Sequence, residues 1–294
     1  MVSLSLPKPF RAAACLDYLG RSDKEILHRV DSSSVYKLLS IGQKLVLIRI
    51  LLEDENLTIA PLNHAPSPSI QTYIERYVRE WFDLDTELEE FYQSVSDDPV
   101  FNAILPPLHG LRLIKVPDLF ESICWAIIGQ QINLAFAYQI KQNLVLEYGT
   151  SLNYEGHSYH LFPKPSAIFQ ASDERLRELK CSRQKIRYLK IIAEAILEGA
   201  LTKKSLHQSG YQEARQQLIS FKGIGNWSAN YVLMRCLGFK ESFPIEDAGL
   251  HQALRLHYHL DHKPNMVEVR ELTKEWTSWQ AYRTFYLWQS LGLS

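Results

Sequence analysis

The chain has 294 residues, of which 46% are hydrophobic and 11% aromatic, and its formal net charge is −1. This length and apolar content can bury sizeable cores, so we expect about two or three compact units. There is no signal-peptide pattern, and no apolar run approaches the roughly 18 residues of a membrane span, so we expect a soluble cytoplasmic protein. The four cysteines are widely spaced without a CxxC pair, which argues against a zinc site or a disulfide framework.

The N-terminal third combines strand and helix signals. Val35–Leu39 and Leu45–Leu52 are apolar, β-rich runs, and Leu57–Ala60 has the composition of a further strand. Ile70–Phe82 has apolar residues at helical spacing, which predicts a helix that covers the sheet. We therefore predict an antiparallel sheet domain over residues 1-95.

The chain becomes mostly helical after Asp98–Pro99. Apolar periodicity and end signals predict helices over Leu119–Ile128, Ala135–Tyr148, Ser172–Leu179, Lys185–Glu198, Tyr211–Ser220, Trp227–Leu237, Ala248–His257, Met266–Trp276 and Gln280–Leu291. The predicted fold class is α+β, with a small N-terminal antiparallel sheet domain followed by a mostly α-helical pair of subdomains.

Two glycines one residue apart, Gly223 and Gly225, lie in the segment FKGIGNWSA just before the predicted helix Trp227–Leu237. Glycine permits positive φ and close approach of another backbone, so the turn can present several amide N–H groups to a phosphate oxygen. The alternative is a helix–helix connection that simply needs two glycines.

This segment, together with FPIED at Phe243–Asp247, resembles the helix–hairpin–helix DNA glycosylases (the HhH-GPD superfamily), and within them the AlkA-type 3-methyladenine DNA glycosylase II. The match extends over nearly the whole chain, through LDYL at 16–19, WAIIGQQ at 125–131, LKCSRQKIRYL at 179–189 and the closing helix from WQAYR to Trp288. The resemblance implies two helical subdomains with a cleft between them. We place one at residues 96-114 and 239-294, and the other, which carries the hairpin, at 115-238.

Asp247 matches the catalytic aspartate of this family, three residues after Pro244. By position alone it is an N-cap, and the helix N-terminus also favours its ionised form. A fixed carboxylate stabilises the positive charge that develops on the sugar as the C1′–N bond breaks, and it can orient the attacking water. Glu246 is the competing carboxylate. Bifunctional members carry a nucleophilic lysine where this chain has Trp227, so the resemblance implies a monofunctional enzyme that leaves an abasic site.

Aromatic residues make up the expected base pocket. Trp227 and Tyr231 are four residues apart and project from one helical face. An aromatic core stripe is the alternative explanation of this pair. The resemblance adds Trp288, Tyr18 and Gln130 to the pocket. Methylation at N3 or N7 makes a purine cationic, and an electron-rich pocket attracts such a base by stacking and cation–π interaction.

The target base has to leave the DNA stack before it can react. The resemblance places the wedge that fills the gap at Gln131, with Ile132 as the apolar alternative. Charge is unevenly distributed, because Arg175–Lys190 holds seven basic residues and one acidic residue. This segment is either a solvated helix face or a DNA-backbone surface, with Arg183 and Lys185 as the expected contacts.

The hairpin itself is expected to hold the DNA backbone through Lys222 and the amides of Gly223, Gly225 and Ala229. Family members often bind a monovalent cation at hairpin carbonyls. The carbonyls that match here would take Na⁺ or K⁺, and they belong to Ile219, Phe221 and Ile224. We expect no other cofactor.

The function predicted from the resemblance is a monomeric, monofunctional DNA N-glycosylase that flips alkylated purines out of double-stranded DNA and excises them in base excision repair. Two alternatives stay open, an 8-oxoguanine-type glycosylase with lyase activity and a non-enzymatic helix–hairpin–helix DNA-binding module. The expected location is the cytoplasm, at the nucleoid.

Overall fold

The computed structural model describes residues 2–292. A five-stranded antiparallel sheet in the order β1-β5-β4-β3-β2 forms the N-terminal part, and a two-stranded hairpin lies within the helical part. The strands are β1 Val2–Ser5, β2 His28–Asp31, β3 Ser34–Ile41, β4 Lys44–Leu52, β5 Asn56–Pro61, β6 Ser151–Tyr154 and β7 His157–His160. The predicted N-terminal antiparallel sheet is confirmed.

Most of the remaining chain is helical, which confirms the α+β prediction. The helices are α1 Ala12–Leu19, α2 Pro68–Trp81, α3 Leu88–Ser94, α4 Pro99–Leu108, α5 Leu119–Gly129, α6 Leu134–Tyr148, α7 Pro165–Gln170, α8 Asp173–Glu178, α9 Arg183–Leu197, α10 Lys203–Ser209, α11 Tyr211–Ser220, α12 Asn226–Val232, α13 Ala248–His257, α14 Met266–Leu272 and α15 Gln280–Ser290. No helix within residues 2–292 is both long and apolar enough to cross a membrane.

Both faces of the sheet are covered, which explains the nearly continuous apolar runs of β3 and β4. Val35 and Leu39 of β3 point into the large core, whereas Leu38 packs with Leu47 and Tyr159 on the opposite face. Tyr159 belongs to β7, so the β6–β7 hairpin covers this second face. The sequence analysis did not predict this hairpin, because its two strands are short and mostly polar.

The helix predicted over Trp227–Leu237 is regular only as far as Val232. Residues Leu233–Leu237 form a π-helical turn that ends at Gly238, which has a φ of +74°. The wider turn leaves the carbonyl of Arg235 to accept the amide of Val116 at 2.6 Å. Single π turns inside helices often lie near functional sites.

Two large hydrophobic cores organise the molecule. One core is shared by the sheet, α2–α4 and α13–α15. The other contains residues of all the helices from α5 through α12 and of the following π turn. Trp288 of α15 packs against both cores. The three predicted domain boundaries stay predictions, although the sheet shares its core with both segments of the proposed 96-114 and 239-294 subdomain.

Candidate active site

Asp247 lies at the N-cap of α13, and three hydrogen bonds hold its carboxylate. Its Oδ1 accepts the amide of Leu250 at 2.7 Å and the indole Nε1–H of Trp288 at 2.7 Å. Its Oδ2 accepts the indole Nε1–H of Trp227 at 2.8 Å. The predicted capping role and the predicted neighbourhood of the two tryptophans therefore occur together. The side chain is half-buried at the junction of the two cores.

Trp227, Tyr231 and Trp288 form one aromatic group beside this carboxylate. The ring centroids of Trp227 and Tyr231 are 5.5 Å apart at an interplanar angle of 27°. Those of Tyr231 and Trp288 are 6.4 Å apart at 31°. Burial raises the pKa of Tyr231 to about 12, so its phenol is neutral at physiological pH. The helix α12 thus brings its two aromatic residues to the same side, as their spacing predicts.

Behind these rings lies a buried arginine that the sequence analysis missed. Arg235 is 4% exposed, and its guanidinium lies 5.4 Å from the ring centroid of Tyr18 and 5.7 Å from that of Tyr231. Its Nε donates to the carbonyl of Ile114 at 2.9 Å. Arg235 is therefore a cation–π partner of two predicted pocket residues. The signal in the sequence is an arginine in an otherwise apolar run, four residues after Tyr231.

Small and polar residues position the loop that carries Asp247. A Cβ at Gly249 would lie 3.0 Å from Asp247 Oδ1 and 3.2 Å from the ring of Trp288, so glycine leaves room for their hydrogen bond. His251 Nε2 lies 2.7 Å from the carbonyl of Ile245, two residues before the aspartate. Neither contact is visible as a motif in the sequence.

A polar network connects this loop to α12. Asn226 donates to the carboxylate of Glu246 at 2.5 Å, and it accepts a hydrogen bond from Arg215 Nε at 2.8 Å. One turn later, Asn230 accepts the amide of Phe243 at 3.1 Å and the hydroxyl of Tyr211 at 2.7 Å. Glu246, the competing carboxylate, is exposed, and its bond is to Asn226, the first residue of α12, rather than to the tryptophans.

The glycine hairpin, residues 221–225, connects α11 to α12. Gly223 has a φ of +101°, and a Cβ there would lie 2.2 Å from the ring of Tyr188. Gly225 has open space around it, and Lys222 is exposed. The amide of Ala229 instead donates to the carbonyl of Gly225 at 2.9 Å inside the helix. The Ala229 amide is therefore not free to bind a phosphate, contrary to the prediction.

The loop between α5 and α6 holds the predicted wedge residues. Gln131 is exposed and has a left-handed φ of +57°, and Ile132 is half-buried against the second core. The side-chain amide of Gln130 does not end in open space. It donates to the carbonyl of Gly223 at 2.8 Å and to the hydroxyl of Ser228 at 3.0 Å.

Only part of the basic segment presents free charge. Arg183, at the start of α9, is exposed, whereas Lys185 is 9% exposed and burial lowers its pKa. Arg175 is neutralised by Glu147 and Glu178, both at 2.6 Å. Lys185 is therefore a weaker candidate for a phosphate contact than Arg183. Spacing within the segment does not distinguish buried from exposed cations.

Metal ligands of the usual side-chain types do not cluster in the part of the chain that the structure describes. The carbonyls of Ile219 and Phe221 lie at the C-terminal end of α11, where the helix dipole is negative. The Phe221 carbonyl accepts the amide of Ile224 at 3.1 Å and retains a second lone pair. Backbone carbonyl oxygens such as these are suitable ligands for a monovalent cation.

Residues 124–278 match the family of HhH-GPD superfamily base excision DNA repair proteins, and residues 19–123 match the N-terminal domain of 8-oxoguanine DNA glycosylase. The chain is 36% identical to the DNA-3-methyladenine glycosylase of Bacillus subtilis (strain 168), over 99% of this chain and 97% of that protein. The chain therefore belongs to the HhH-GPD superfamily of base excision DNA repair proteins.

Solved structures share the fold. The 3-methyladenine DNA glycosylase from Archaeoglobus fulgidus superposes with a TM-score of 0.86 at 24% identity, covering 98% of both chains. The 8-oxoguanine glycosylase/lyase of Clostridium acetobutylicum, in complex with DNA, gives 0.75 at 18% identity and covers 95% of this chain and 91% of that one. Because both kinds of enzyme share this fold, the fold alone does not decide between them.

Proposed function

We propose that this protein is a DNA glycosylase that excises alkylated purines from duplex DNA, with Asp247 as its catalytic carboxylate. The observation that carries the proposal is the placement of Asp247 between the indole N–H groups of Trp227 and Trp288 at an aromatic group. The named activity of the Bacillus subtilis relative, DNA-3-methyladenine glycosylase, supports the same substrate class.

The hydrogen bonds fix the Asp247 carboxylate and leave one position on it free. Three N–H groups donate to its oxygens, from the indoles of Trp227 and Trp288 and from the amide of Leu250. A carboxylate has about four lone-pair sites, so one site on Oδ2 is left for a water molecule or for the sugar. Asp247 then stabilises the positive charge on the sugar as the C1′–N bond breaks, and it orients the water that attacks C1′.

The aromatic group supplies the affinity for the base. A base flipped out of the duplex stacks against the half-buried indole rings of this aromatic group, and a methylated purine adds a cation–π attraction because it is positively charged. Such a base is also a good leaving group, so its departure needs little help from an acid. Tyr18 contributes its ring from the opposite core, next to Arg235.

Water, rather than an amine of the protein, is the proposed nucleophile. Position 227 carries an indole whose N–H is bonded to Asp247, so it offers no amine for a Schiff base. The alternative is a glycosylase/lyase, which is supported by the match of residues 19–123 to the N-terminal domain of 8-oxoguanine DNA glycosylase. Borohydride trapping decides between them. A covalent protein–DNA adduct with damaged duplex would refute the monofunctional proposal.

The DNA backbone is held by the hairpin in this proposal. Lys222 and the amides around Gly223 and Gly225 contact phosphate, and Arg183, exposed at the start of α9, is a further proposed contact. The carbonyls of Ile219, Phe221 and Ile224 would hold Na⁺ or K⁺, which adds positive charge facing a phosphate. The protein acts as a monomer, since one chain holds both the hairpin and the carboxylate.

The direct test is release of free base from duplex DNA treated with a methylating agent. We expect the parent protein to release methylated purines and to leave abasic sites, and Asp247→Asn to release them about a thousandfold more slowly. If neither protein releases base while both bind duplex, the non-enzymatic DNA-binding module becomes the better description. A pure backbone clamp, however, has no use for a carboxylate bonded to two indoles.

A further inference from the structure

The side chain of Gln130 connects two loops that are far apart in sequence. Its Nε2 carries two hydrogens, and these bind the carbonyl of Gly223 at 2.8 Å and the hydroxyl of Ser228 at 3.0 Å. Building on the proposed function, we propose that Gln130 is a positioning residue that couples the wedge loop, which holds Gln131 and Ile132, to the phosphate-binding glycine hairpin. When the hairpin binds a phosphate, this contact fixes the position of the wedge residue.

The wedge loop is too short to move independently of Gln130. Gln130 follows the last residue of α5, and Asn133 caps α6 by accepting the amide of Phe136 at 2.8 Å. Only Gln131 and Ile132 lie between these two anchored residues. Neighbouring Cα atoms are about 3.8 Å apart, so a displacement of Gln130 is passed directly to Gln131.

The hairpin is held from two sides. The ring of Tyr188 leaves no space for a Cβ at Gly223, so the hairpin backbone already rests directly on α9. Gln130 holds the Gly223 carbonyl as a second support. Ser228, the other acceptor, is 2% exposed and follows Trp227, whose indole binds Asp247. One amide group therefore connects the wedge loop, the hairpin and the helix that supports the catalytic carboxylate.

The competing role for Gln130 is recognition of the flipped base, as the family resemblance implies. Both of its N–H groups are already bonded within the protein, so only Oε1 is left for a base. A base-reading residue would affect some bases more than others. A coupling residue would affect every base equally, and it would also affect binding to a duplex that has no base at the target position.

The test uses fluorescence anisotropy with two DNA probes, a duplex with a tetrahydrofuran abasic analogue and the same duplex undamaged. Gln130→Glu keeps the shape but replaces both N–H donors with a carboxylate at neutral pH. Ser228→Ala removes one acceptor. Gln139→Glu is the matched control, because it adds the same charge and its amide bonds to Gln142 and Asn143 on its own helix, α6. Thermal unfolding of each variant is measured in parallel.

We expect Gln130→Glu to bind the abasic duplex about tenfold more weakly, the value of one to two neutral hydrogen bonds. Ser228→Ala should lose about threefold, and Gln139→Glu should match the parent. Binding to undamaged duplex, which uses the hairpin without the wedge, should fall less than binding to the abasic duplex. Turnover by Gln130→Glu should fall by the same factor for every excised base.

Three results would overturn the coupling. Unchanged abasic-duplex binding by both Gln130→Glu and Ser228→Ala would show that the contact transmits nothing. An equal loss on undamaged duplex would show that Gln130 only maintains the shape of the hairpin. A loss confined to one excised base would make it a pocket residue. Neither DNA probe contains a damaged base, so the binding measurements remain informative even if the protein excises no base.

Discussion

Replacing Asp247 with asparagine removes one charge and retains the shape of the side chain. The single amide oxygen can still accept from Leu250 and Trp288, but the amide NH₂ then faces the indole N–H of Trp227. We therefore expect a modest loss of stability, about 1–3 kcal/mol. The loss of transition-state stabilisation is larger. A unit charge about 4 Å from the developing cation is worth about 4 kcal/mol at an effective dielectric constant near 20.

This energy corresponds to about a thousandfold in rate. Single-turnover excision from a methylated duplex measures it, and anisotropy should show that DNA binding is largely retained. Glu246→Gln is the matched control, because its amide oxygen can still accept from Asn226. We expect the control to keep nearly full activity. Excision by Asp247→Asn within tenfold of the parent, or an equal loss in the control, would refute the assignment.

The remaining predictions concern the hairpin and a buried ion cluster. Gly225→Ala should leave the thermal midpoint unchanged and weaken binding to damaged and undamaged duplex equally, because phosphate contacts carry no sequence information. Gly223→Ala should lower the thermal midpoint as well, through its positive φ and its contact with α9. Equal midpoints for the two variants would contradict this. Lys141 pairs with Glu25 and Glu121 at 2.8 and 2.9 Å, so Lys141→Met should cost about 3–5 kcal/mol in urea unfolding at pH 7.

The same cluster gives a pH dependence with a definite sign. Burial alone would raise the pKa of Glu25, but attraction to the Lys141 ammonium outweighs it and lowers the pKa from 4.5 to about 2. A depressed carboxyl pKa stabilises the folded state above the unfolded-state pKa, and this contribution disappears as the pH falls towards the folded-state pKa. The stability difference between parent and Lys141→Met should therefore shrink between about pH 4.5 and pH 2. A constant difference across that range would contradict the pairing.

Residue spacing and helix-end signals predicted part of the local geometry around the candidate site from the sequence alone. The i, i+4 spacing of Trp227 and Tyr231 places both rings on one face of a helix because the pitch is a local property. Asp247 caps its helix because side-chain oxygens satisfy the free amides of a first turn. The apolar runs of the N-terminal third formed an antiparallel sheet for the same local reason, since β-rich segments separated by turns pair with each other.

Tertiary packing decided what depends on residues distant in sequence. The resemblance to the glycosylases placed Gln130, Lys185 and Ala229 at the site. It did not show that Gln130 is bonded to the glycine hairpin, that Lys185 is buried, or that the Ala229 amide is bonded within its own helix. The two indole bonds to Asp247 likewise join residues 20 and 41 positions away. Local spacing specifies the direction of a side chain along one element, whereas its hydrogen-bond partner depends on how separate elements pack.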